Sequence, residues 1–188
     1  MKIRTEPMLG GAAFSFVILL VVNLTGIFLT MNAAINIVED LMSPNYDPLA
    51  STSASSLLYL MSCLSCISLL VAGIGAGVVY ARQHAKIEPI TGSLIGGGAA
   101  SGALGFFIAG ICVGVAAGLM VIPLMNQLSA AAPELTASMY GGSATSLGVL
   151  SSIMYGGCYG IIYALIGAVL GMIGAAIGVP KSAKTTPA

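Results

Sequence analysis

Three tyrosines, Tyr155, Tyr159 and Tyr163, recur every fourth residue in SSIMYGGCYGIIY, and two cysteines, Cys63 and Cys66, form a C-x-x-C pair in LMSCLSCIS. Four-residue spacing puts the phenols on one face of a helix, where each hydroxyl can donate and accept hydrogen bonds. A C-x-x-C pair can cycle between dithiol and disulfide or supply half of a zinc site. A zinc site needs about four ligands, and no histidine or further cysteine pair lies nearby to complete one. The two cysteines, with Cys112 and Cys158, therefore read as small, soft packing residues, and no metal or cofactor is expected. The one histidine, His84, lies between Arg82 and Lys86 and reads as a juxtamembrane loop residue. No Ser/His/Asp or Cys/His set is available for hydrolysis, so no catalytic residue is assigned and an enzyme is not expected.

The tyrosines fare differently, because a phenol inside an apolar segment needs a hydrogen-bond partner. Asn23, Thr25, Ser62 and Ser65 are the candidates in other apolar segments. Together with Tyr155, Tyr159 and Tyr163 they make a candidate polar seam. It reads either as interhelical hydrogen bonds or as the lining of a small cavity for a lipid headgroup or solute. Asn23 to Thr25 also fits a glycosylation sequon, but its place within an apolar segment argues against modification.

These residues belong to a chain of unusual composition. Of its 188 residues 57% are hydrophobic and 6% charged, whereas soluble domains carry about 25% charged residues. Four segments, about 8–31, 57–81, 90–125 and 147–179, contain no Asp, Glu, Lys, Arg or His. Each reaches the ~20 residues that cross a hydrocarbon core of ~30 Å. A helix satisfies its own backbone hydrogen bonds where water is absent, so the sequence predicts an all-α integral membrane protein, a four-transmembrane-helix bundle. The segments do not alternate as barrel strands would. Proton-coupled transport is disfavoured, since it relies on intramembrane carboxylates or histidines, and six scattered basic residues give no nucleic-acid surface.

All six basic residues, Lys2, Arg4, Arg82, Lys86, Lys181 and Lys184, fall in segments that four crossings place on one side. Glu39, Asp40, Asp47 and Glu134 fall on the other. Basic residues mark the cytoplasmic side, so both termini are expected in the cytoplasm of a cell inner or plasma membrane, with loops 32–56 and 126–146 external. The first segment is too long for an ordinary secretory signal and reads as a retained anchor.

The first helix is expected to run on through NAAINIVEDLM to a stop at Pro44, and STSAS to cap the second. A short helix is expected from Pro133. The tail 181–188 has nothing to bury and reads as disordered. GGAA at 10–13 and 97–100, with SSLLY at 55–59 and SSIMY at 151–155, suggests a duplicated helical hairpin, although frequent Ala, Gly and Ser produce such echoes by chance.

Glycine decides between two further readings. Phosphate-binding loops follow a strand and bring a lysine or acid within reach; the stretch from Gly96 to Gly118 has neither. Instead Gly98, Gly102, Gly110, Gly114 and Gly118 repeat in steps of four, with Phe106 at the missing step. Gly156, Gly160, Gly167 and Gly171 continue the pattern in the fourth segment, and Gly73 and Gly77 in the second. Small residues four apart let helix backbones meet in lipid, where apolar burial gives little drive for association. These glycines are expected to pack helices, mainly within one chain. The markers of tetraspanins, claudins, small multidrug transporters and rotary-ATPase proteolipids are missing.

Two functions are compatible with this sequence. One is a membrane module that acts by helix association, as an accessory or structural subunit of a larger complex or as a homo-oligomer, with membrane lipids around it. The other is a passive facilitator or transporter of a small solute or lipid along the Tyr/Ser/Asn seam.

Overall fold

The computed structural model of the protein describes residues 5–42, 48–86, 93–131 and 144–179. They form four helices: α1 (Thr5–Met42), α2 (Pro48–His84), α3 (Ser93–Ala131) and α4 (Ala144–Gly178). Each contains a stretch long and apolar enough to cross a membrane: Thr5–Ala33, Tyr59–His84, Ser93–Pro123 and Gly156–Gly178. The shortest helix has 35 residues and at 1.5 Å per residue measures about 52 Å, well beyond the apolar thickness of a bilayer. The surplus extends the helices past their apolar stretches, and neither α3 nor α4 breaks at residues 96–98 or 156–157.

Helix limits follow from local chemistry. Proline has a fixed φ and lacks an N–H, and the first turn of a helix asks for no N–H bond. Accordingly α2 starts at Pro48 and absorbs residues 51–55, so the serines and threonine expected to cap it lie inside it. α1 continues through Met42, and α3 carries Pro123 within its length. The turns from Pro44, the helix expected from Pro133 and the tail 181–188 lie outside the described residues.

Consecutive helices run antiparallel. Gly10 of α1 meets Gln83 of α2, Gly97 of α3 meets Tyr80 of α2, and Gly178 of α4 lies on Val78 and Ala81 of α2. The starts of α1 and α3 and the ends of α2 and α4 thus share one end of the bundle, called here the near end; the opposite end is the far end. α2 and α3 form the central pair, since each touches the other three helices, whereas α1 and α4 do not meet among the described residues. The most extensive interface joins α3 and α4.

The buried centre is small: Leu19, Ala72, Phe106 and Ala109, flanked by Phe16, Ile18, Leu69, Tyr163 and Leu170. Most large apolar side chains, among them Val17, Phe28, Leu60, Ile161 and Leu165, face outward. In water such a surface would drive aggregation. Against hydrocarbon it is the expected surface of a membrane-spanning bundle.

Candidate functional site

The near half of the bundle is built on backbone contact. A Cβ placed on Gly102 would strike the Gly167 carbonyl oxygen, and one placed on Gly167 would lie 2.5 Å from the Gly102 carbonyl oxygen. One turn nearer the near end, Gly98 and Gly171 repeat the arrangement, with the Gly171 oxygen 2.7 Å from a Cβ at Gly98. Toward the far end, a Cβ at Gly110 would lie 2.9 Å from the Gly160 Cα. Phe106, at the step where the glycine repeat is interrupted, is fully buried and fills the notch over Gly167, its Cγ 2.6 Å from a Cβ placed there. Gly77 packs on the backbone of Gly171, Gly174 and Ala175, and Gly73 on the side chain of Leu170. Gly156 is looser, its nearest neighbours at 3.5 Å. Gly114 and Gly118 are buried on α3.

The α1–α3 crossing uses residues that sequence reasoning did not single out. Gly11 faces the Ser101 hydroxyl and the Ala76 carbonyl, and Gly105 faces Ser15 and Ala12. Ser101 donates a 3.1 Å hydrogen bond to the Met8 carbonyl on α1, and Ser15 donates to Ala12 at 3.0 Å within its own helix. The signal was present as Gly11/Ser15 and Ser101/Gly105, small pairs at the same four-residue spacing.

His84 corrects its expected place in a loop. It ends α2, is fully buried, and stacks on Tyr80 with ring centroids 5.6 Å apart and planes 17° from parallel. Neither of its ring nitrogens has a hydrogen-bond partner among the described residues. The physical reason is helical register: α2 outlasts its apolar run, and His84 stands one turn after Tyr80 on the inward face, while Arg82 and Gln83 turn outward.

The far half is open, and there most of the polar seam gathers. Asn23 on α1 is buried, donates a 2.8 Å bond to the Leu19 carbonyl and accepts a 3.0 Å bond from the Ser65 hydroxyl of α2. A cavity of about 220 Å³ lies between α1 and α2, with Asn23, Gly26, Thr30, Ser62 and Ser65 in its wall. A second cavity, of about 390 Å³, is lined by Asn23 and Ile27 of α1, by Val113, Gly114, Ala117 and Val121 of α3, and by Tyr159 and Tyr163 of α4. Asn23 and Ile27 border both.

Tyr163 is half-buried, packed edge-on against Phe106 at 6.3 Å and against Tyr159 at 6.0 Å. Its hydroxyl makes no hydrogen bond among the described residues. The Tyr155 side chain lies outside the described residues. Thr25 stands apart from the seam: it is exposed and donates to the Val21 carbonyl of its own turn at 2.8 Å. At 3.6 residues per turn, a step of two carries a side chain to about the opposite side of the helix from Asn23. Thr30, seven residues after Asn23, shares its face and was not anticipated.

α2 contributes no residue to the wall of the larger cavity. In the near half α2 and α4 lock together, Gly174 against the Ile74 carbonyl and Gly178 against the Val78 Cα. Between Tyr59 and Ile67, by contrast, every residue of α2 is exposed except Met61 and Ser65, both turned to α1. On α4, Gly157 has nothing within 4 Å of a Cβ placed on it, and Tyr159 and Ile162 are exposed. No glycine of α4 meets α2 in this half among the described residues.

Cys63, Cys66 and Cys158 are exposed free thiols and Cys112 is a half-buried one. No group of three or more His, Cys, Asp or Glu is placed to hold a metal ion among the described residues. Comparison with known proteins gives no matching family model, no matching curated protein and no matching solved structure.

Proposed function

We propose that this chain is a small multi-pass membrane protein that binds or passively passes a small solute or lipid through the polar-edged cavities of its far half. In this reading the glycine contacts of α3 with α4, and of α2 with α4, act as a fixed scaffold, a glycine zipper closed within one chain. The observation that carries it is the position of Asn23, one buried amide bordering two cavities, with Tyr159 and Tyr163 across the larger. Ligand cavities are mostly apolar, begin at about 300 Å³ and contain a few placed polar groups, which describes the larger cavity. No catalytic step belongs to this reading. The positions of the basic residues argue for cytoplasmic termini.

The test is reconstitution of the full chain in liposomes. Glycerol and urea flux is measured alongside mass spectrometry of lipids retained through purification. Flux or a retained lipid that falls with Asn23→Leu and Tyr163→Phe supports the proposal; neither flux nor retention overturns it.

One observation favours the other function, an accessory or self-associating subunit. Phe14, Val17, Val21 and Phe28 stand exposed on α1 at steps of three, four and seven, the spacing of a helix-pairing seam. Recovery of a fixed partner or a defined oligomer in mild detergent, without flux or retained lipid, would establish it. A duplicated hairpin would exchange α1 with α3 and α2 with α4, and so turn the α2–α3 contact into an α4–α1 contact. That last pair does not meet among the described residues.

A further inference from the structure

We infer that the occupant of the larger cavity is an uncharged bilayer amphiphile with one hydrogen-bonding group, which enters sideways from the lipid between α2 and α4. The inference rests on the proposed function and narrows its ligand class. Depth is the first argument. Tyr163 lies fifteen residues from Gly178 and seven from Gly156, the limits of the apolar stretch of α4, or about 22 Å and about 10 Å along the axis. The cavity is therefore inside the apolar thickness. On its flank toward α2, Met61, Ser62 and Ser65 line the smaller cavity against α1, and the residues of 59–67 other than Met61 and Ser65 are exposed at that depth.

The wall chemistry is the second argument. Ile27, Val113, Gly114, Ala117 and Val121 offer an apolar bed, and none of the lining residues is charged. A carboxylate or phosphate would lose its water there with no compensating cation. A hydroxyl or carbonyl can be accommodated. The Tyr163 hydroxyl makes no hydrogen bond among the described residues, and the Asn23 amide retains one N–H and one lone pair beyond its two bonds. A chain carrying one such group fits where a polyol or an ion does not.

The experiment uses the full chain in lipid nanodiscs with two photoreactive probes of equal chain length: a long-chain 1-alkanol bearing a diazirine and a terminal alkyne, and the corresponding fatty acid. The alcohol should label peptides covering residues 113–121 and 159–163. Labelling should be several times stronger than with the acid, should drop severalfold in Tyr163→Phe and should be blocked in Ala117→Phe, which fills the cavity. Tyr163→Phe keeps the ring contacts, so an unchanged melting temperature separates loss of binding from loss of fold. Equal labelling by the acid, or labelling indifferent to both variants, overturns the inference. Glycerol flux that depends on Asn23 and Tyr163 without any labelling overturns it too, while leaving the proposed function in place. Absence of labelling, flux and any retained lipid removes the inference together with the reading beneath it.

Discussion

Gly102 and Gly167 face each other so closely that a methyl group on either would press on the other's carbonyl oxygen. Backbone cannot rotate out of the way as the end of a side chain can, so α3 and α4 would have to separate. Gly102→Leu should therefore unfold the bundle at markedly lower temperature, and Gly110→Leu, with the Gly160 Cα 2.9 Å from a Cβ placed on Gly110, should do likewise. Thermal unfolding in detergent reads both; unchanged melting would refute packing through this groove.

Gly157 supplies the opposite expectation. Nothing lies within 4 Å of a Cβ there, and replacing an unencumbered helical glycine by alanine gains up to about 1 kcal/mol. Gly157→Ala should leave the melting temperature unchanged or raise it by a few degrees. A fall as large as that of Gly102→Leu would place an unseen neighbour at this position.

Ser65→Ala removes the 3.0 Å bond to Asn23. Hydrogen bonds between membrane helices average about 0.6 kcal/mol and reach about 1.7 kcal/mol. A double-mutant cycle of Ser65→Ala with Asn23→Leu, followed by unfolding in detergent, should return a coupling in that range. Additive effects would show that the two side chains do not interact.

His84→Phe preserves a ring against Tyr80 and removes two buried nitrogens that lack partners among the described residues. A buried unsatisfied polar group costs about 1 to 3 kcal/mol, so the substitution should stabilise the bundle. His84→Ala should destabilise it through the lost stacking and the space left behind. Unfolding of the two variants side by side decides the point, and a destabilising His84→Phe would mean that the imidazole has a polar partner after all.

Topology is tested by labelling single cysteines introduced at Arg82 and at Asp47 in a chain whose four native cysteines are replaced. A membrane-impermeant maleimide should reach the first only after the bilayer is permeabilised and the second without it. Equal access from the same side would overturn the four-crossing layout.

Much of the fold could be read from the sequence because the bilayer imposes it. Uncharged runs of sufficient length must satisfy their own backbone hydrogen bonds, and that requirement alone gives four long helices. What composition could not supply was rotation about each helix axis. Polarity and closeness in sequence group Thr25 with Asn23, yet helical register turns Thr25 outward and brings Thr30 round instead. Its charged neighbours suggest a loop for His84, whereas its own position continues the buried face of Tyr80. Single serines such as Ser15 and Ser101 carry little signal in a sequence; their meaning comes from the glycine opposite each, which no single-helix pattern reveals.

The glycine contacts between α2 and α4 are confined to the near half, which gives the pair unequal stiffness along its axis. Near the chain ends, Gly174 rests on Ile74 and Gly178 on Val78, leaving no slack for sliding. Toward Tyr59 no glycine of either helix meets the other helix among the described residues, so nothing comparable fixes their spacing there.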